Sequence, residues 1–198
     1  MSWLKKIAFP TFYHGTDSPP FDNYDPKQRT KSEKHYNPLG EGMYATNHPG
    51  LAEFFGKNVY QVRVPDNCKI KRFSPNQARS AISDIIRKSL SAAGTAPRHW
   101  TPQFMRDLNE TLDLAKESPY DAVYECMRLA SDYFQHDLHE FANIVGQIAT
   151  QKFSKYDAVI FNGTSNPDPN DIMVGDCPLQ EVIIFNPAFQ KVFNGEIS

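Results

Sequence analysis

The chain has 198 residues, 40% hydrophobic and 22% charged, which is enough to bury one core without disulfides and excludes wholesale disorder. A formal net charge of −2 excludes a global electrostatic pull towards nucleic acid, so any such partner must be read from local clusters. Cys68, Cys126 and Cys177 lie far apart and form no CxxC pair of the kind used for zinc or redox work, which suits a reducing cytosol.

The opening MSWLKKIAFPTFYHG holds too few apolar residues before Pro10 for a signal-peptide core, and no later stretch approaches a membrane span. A soluble protein, cytoplasmic where it is made and without a membrane partner, is expected. No internal repeat, low-complexity segment or interdomain linker is evident, so a single domain over residues 1–198 is expected.

Early strands are predicted at 11–14 (TFYH), 42–46 (GMYAT) and 59–64 (VYQVRV), the last by its alternation of Val59, Gln61 and Arg63 with Tyr60, Val62 and Val64. A small helix is predicted to begin at Pro49. A helical middle follows over about 74–152, opened three times by a capping hydroxyl and a proline: Ser74-Pro75, Thr101-Pro102 and Ser118-Pro119. After Ser118, Val123, Met127, Ala130, Phe134, Leu138, Phe141, Val145 and Ile148 recur every three or four residues, which predicts one long helix packed on a sheet. Late strands are predicted at 156–162 (YDAVIFN), 171–175 (DIMVG) and 180–185 (QEVIIF). Strands in two groups around helices point to an α+β fold rather than an alternating parallel sheet.

Three stretches carry residues suited to chemistry. In FYHGT, 12–16, His14 and Gly15 set an imidazole beside a main chain without Cβ, against which a flat polar ligand can lie; a hydrogen-bonding structural histidine fits the same pattern. In GEGMYATNHPGLAEFFG, 40–56, Gly40 and Gly42 turn the chain into a strand bearing Tyr44, and the next helix returns Phe54 and Phe55. These aromatics form either two walls of a slot or part of a core. A dinucleotide fingerprint is excluded, because the third glycine is missing and the order runs turn, strand, helix. In LQEVIIFNP, 179–187, Glu181 heads a buried apolar run, so its charge must be solvated, paired or used. The polar loop 164–178 leads into this strand.

Taken in order, His-Gly on a first strand, Gly-x-Gly-x-Tyr on a second and a late Glu-x-x-x-aromatic strand resemble the ADP-ribosyltransferases of the His, Tyr, Glu type. This is the group of diphtheria toxin and the poly(ADP-ribose) polymerases, with smaller relatives in bacteria and phages. The resemblance covers 11–64 and 155–193; the helical middle falls in the family's variable region. It implies an ADP-ribosyltransferase-like split sheet whose cleft binds NAD as substrate, with the helical middle as an insertion. His14 would bond the adenosine ribose, the main chain of Gly15 would pair with the nicotinamide carboxamide, and Tyr44 would stack on the nicotinamide with Phe54 or Phe55 opposite. Thr16 and Gly42 would border the same cleft, and Glu181 would be the catalytic acid, with no metal required. The implied activity is mono-ADP-ribosylation of a macromolecule by a bacterial or phage toxin or effector, with protein the favoured acceptor and RNA or DNA open. NAD hydrolysis and a non-catalytic binding module are the alternatives, and an antitoxin or chaperone is a possible partner.

The arginine-modifying branch has a glutamate or glutamine two positions before its acid, where this chain has Leu179; Gln180 or Asp176 could instead help to place an acceptor. The basic stretch 27–35, with Lys27, Arg29, Lys31 and Lys34, reads as solvated surface or as a phosphate contact. His136 and His139 share a face of the predicted long helix without an evident third ligand, so a solvated flank is expected there and no metal.

Overall fold

The computed structural model describes residues 11–17, 38–62, 64, 68–162, 180–186 and 192–193, with only the main chain of Phe54, Val192 and Phe193. The strand predicted at 171–175, the basic stretch 27–35, the loop 164–178 and Cys177 lie outside these residues.

The chain forms β1 (Phe12–Thr16), β2 (Met43–Thr46), α1 (Pro49–Ala52), β3 (Asn58–Val62) and β4 (Ile70–Phe73). It continues with α2 (Pro75–Ala92), α3 (Pro102–Asp113), α4 (Pro119–Phe134) and α5 (Leu138–Phe153), then β5 (Ala158–Asn162), β6 (Gln180–Ile184) and β7 (Val192–Phe193). The strands make one open sheet in the order β4-β5-β6-β2-β1-β3-β7. Only β4 and β5 are parallel among these neighbours. Parallel neighbours require a crossover, and the whole helical middle serves as that crossover. The fold is therefore α+β with a mixed sheet, as the order of predicted elements implied.

Local chemistry starts the helices where expected. Ser74, Thr101 and Ser118 each accept a main-chain N–H from the third residue of the helix that follows, and proline occupies the first helical position in all three. The predicted long helix is, however, two helices. Gln135 adopts a left-handed conformation (φ 56°) that ends α4, and Asp137 starts α5 by accepting the Glu140 N–H at 2.9 Å. Apolar periodicity survives the break because both helices pack on the same core; the Asp137-x-x-Glu140 pattern was the local sign of a new start. His136 consequently lies in the connection, bonded to Thr95 Oγ1 at 2.8 Å and stacked on Phe141, while His139 is exposed. Among the described residues no group of three or more metal-ligating side chains gathers.

Strand alternation divides the core. Ile183, Val159 and Phe161 join the side chains of α2 to α5 on one side of the sheet, where Phe104, Phe141 and Phe153 are also fully enclosed. Val182, Ile184, Ala158, Ile160, Met43, Ala45, Phe12 and Val62 form a second cluster on the other side. Thus the run after Glu181 is continuously apolar because β6 is covered on both faces.

Asp157 ties the ends of β4, β5 and β6 together. Its carboxylate accepts the Lys69 main-chain N–H at 2.7 Å and the Asn186 side-chain amide at 2.7 Å, and its carbonyl accepts the Phe185 N–H at 2.9 Å. These bonds hold its carboxyl below the ordinary range, the Asn186 bond contributing most. At the middle of the sheet the pairing is thin. Between β1 and β2 the described register is the single pair Tyr13↔Thr46, whereas β1 pairs with β3 along its whole length. Among the described residues no helix is long and apolar enough to cross a membrane.

Candidate active site

Register puts Glu181 on the helix side of the sheet. It sits opposite Thr46 of β2 and Phe161 of β5, two residues along from the Ile183↔Tyr44 pair, so Tyr44 and Glu181 point to the same face. Gln180 points to the other face, where its amide nitrogen donates to Asn162 at 3.0 Å and its main-chain N–H reaches Asn47. The pleat thereby removes Gln180 from the neighbourhood of the acid, and Asp176 lies outside the described residues.

The two carboxylate oxygens of Glu181 meet the start of α4. Oε1 accepts the Ser118 hydroxyl at 2.8 Å and Oε2 accepts the Tyr120 main-chain N–H at 3.1 Å. Its side chain keeps some exposure, yet the protein packed around it pushes its carboxyl up to about 7. Burial is the main cause; the bonds from Ser118 and Tyr120 oppose it, and the Asp121 charge adds to it. A glutamate with a midpoint near neutrality can hold charge or a proton according to a ligand beside it.

Tyr44 is anchored at its phenol. The hydroxyl accepts the Leu39 N–H at 2.9 Å and donates to the Gly40 carbonyl at 3.0 Å, in a turn where Gly40 takes a φ of 108° that only glycine adopts readily. Its ring makes an edge contact with Tyr120, the centroids 6.0 Å apart. Phe55 contacts Tyr120 in the same perpendicular manner, also at 6.0 Å. Phe55 is thereby linked to Tyr44 through Tyr120, and its 39% exposure leaves it reachable from solvent. The side chain of Phe54 is not among the described groups.

His14 contacts the neighbouring strand β2. By alternation it lies on the face of Phe12, opposite to that of Tyr44 and Glu181, and its Nδ1 approaches the Tyr44 main-chain carbonyl at 2.6 Å. Since a carbonyl can only accept, Nδ1 carries the proton, and a neutral ring then has its acceptor at Nε2. Contacts thus run from His14 to Tyr44, from Tyr44 to Tyr120 and from Tyr120 to Glu181.

Gly15 also has a packing requirement of its own. A Cβ there would stand 1.7 Å from the Ala52 carbonyl oxygen, so glycine admits the backbone of α1 against β1. Gly42 similarly lets β2 approach Ile183 and Ile184. Thr16 is buried and pairs with Asn58 in the sheet.

Sequence reasoning missed Ser118 and Tyr120 as members of this group. Ser118-Pro119 was visible as a helix start, but no local pattern says that this start rests on a strand 61 to 63 residues later. The sequence matches no family model, no curated protein and no solved structure.

Proposed function

We propose that this chain is a mono-ADP-ribosyltransferase that cleaves NAD between ribose and nicotinamide and passes ADP-ribose to a macromolecule. The observation that most supports the reading is the meeting of Tyr44, Phe55 and Glu181 around one helix start, with His14 attached through the Tyr44 carbonyl.

In this reading the C1′–N bond to nicotinamide breaks with its electron pair leaving on nicotinamide, and positive charge develops on the ribose. The Glu181 carboxylate favours that charge and accepts a hydrogen bond from a ribose hydroxyl, as carboxylates do at other glycosidic centres. The acceptor then bonds to C1′ and loses its proton. Tyr44 and Phe55 hold the flat leaving group, Tyr120 adds a third ring from the inserted helices, and His14 Nε2 takes a hydroxyl of the adenosine ribose. Thr16 and Gly42 border the cleft. A protein acceptor is favoured over RNA or DNA, and the biological setting is a toxin or effector acting in the cytosol it reaches.

Nicotinamide release by the purified chain tests the reaction, and its absence from NAD at saturating concentration overturns it. Labelled NAD offered to a cell lysate then separates transfer from hydrolysis: label retained on a macromolecule supports transfer, and free ADP-ribose alone identifies a glycohydrolase. Protease and nuclease treatment of the labelled product identify the acceptor class.

A further inference from the structure

We propose that Ser118 is a positioning residue for Glu181. From the N-cap of α4 its hydroxyl, together with the Tyr120 main-chain N–H, favours the ionised form of the carboxylate and fixes its orientation. The role assigned to that carboxylate rests on the reading above; its control by Ser118 does not.

The start of α4 is fully assigned by this arrangement. Pro119 has no N–H, so the first turn offers the donors of Tyr120 and Asp121. The Asp121 N–H goes to Ser118 Oγ at 3.3 Å and the Tyr120 N–H goes to Glu181 at 3.1 Å. Ser118 therefore accepts as the helix cap and spends its single proton on Glu181 at 2.8 Å. Because the two donors engage different oxygens, they fix both the place and the rotation of the carboxylate plane.

The surroundings make this hold consequential. Burial favours the neutral acid, and Asp121 on the same turn adds a like charge. The row neighbours on the flanking strands, Thr46 and Phe161, carry no charge to offset it. Among the described residues Ser118 and Tyr120 supply the bonds that oppose protonation. With the midpoint already near neutrality, losing one charge-assisted bond moves it upward by about one pH unit or more. The inserted helices are then part of the chemistry as well as of the core.

Three substitutions separate this role from simple capping. Ser118→Thr keeps cap and donor; Ser118→Gly stays an acceptable cap, about as good as threonine, with no proton to give and no added charge; Ser118→Ala loses both. The readouts are the Glu181 carboxyl titration by ¹³C NMR and the pH profile of nicotinamide release. Ser118→Thr is expected to titrate as wild type. Ser118→Gly and Ser118→Ala are expected to titrate about one unit or more higher, with roughly fivefold less release at pH 7, recovering in alkali. Wild-type titration of Glu181 in Ser118→Gly overturns the positioning role whatever the activity. If the wild-type chain releases no nicotinamide, the reaction assigned above falls, and the NMR titration alone decides the role of Ser118.

Discussion

Replacing Glu181 with glutamine tests in one variant whether this acid serves turnover or the fold. The amide is nearly isosteric and can satisfy the same partners: its oxygen can accept the Tyr120 N–H while its nitrogen donates to Ser118 Oγ. What disappears is the charge. In the folded chain the Glu181 midpoint is about 7, against an ordinary 4.5. The folded state therefore holds a proton that the unfolded state has released between these values, and stability falls as pH rises through that window. Its contribution is fully present below pH 4.5 and lost above about 7. At 1.36 kcal/mol per pH unit the gap bounds the loss at about 3 kcal/mol, and solvent reaching the half-buried side chain screens part of it. Urea denaturation of wild type and Glu181→Gln at pH 4 and pH 8 should show the variant gaining between 1 and 3 kcal/mol relative to wild type at the higher pH, a range of about this bound. Nicotinamide release should meanwhile fall about a hundredfold or more with little change in NAD affinity. A variant destabilised equally at both pH values would make Glu181 a structural cap partner, and unchanged turnover would refute its catalytic role.

Other predictions concern the frame around the acid. Tyr44→Phe leaves the Leu39 N–H without its hydroxyl acceptor and should lose about 1–2 kcal/mol by denaturation, while Tyr44→Ala should weaken NAD binding measured by calorimetry. Gly15→Ala forces a Cβ against a backbone carbonyl that cannot swing aside, so a loss of about 3 kcal/mol is expected; wild-type stability would show that α1 lies elsewhere. Asp137→Ala removes the cap that begins α5 and should cost about 1 kcal/mol in thermal or urea unfolding.

The sequence alone determined what physics settles within a turn or a pleat. Hydroxyl–proline pairs set three helix starts, alternation and β-branching set most strands, and the spacing of apolar residues set the faces that pack. The break at Gln135 was legible too, in Asp137 and Glu140, but a continuous apolar stripe outweighed it because packing does not require one unbroken helix. His14, Tyr44 and Glu181 could be chosen as candidates by residue type and order. Only the tertiary structure decided their company. Four-residue β4, with two charges in Ile70-Lys-Arg-Phe73, becomes a strand because β5 lies beside it. Gly15 serves α1 because Ala52 arrives there, and Glu181 meets Ser118 because the crossover helices settle on that face of the sheet. Such partnerships arise when distant segments bury a common core, a cooperative outcome that no window along the chain contains.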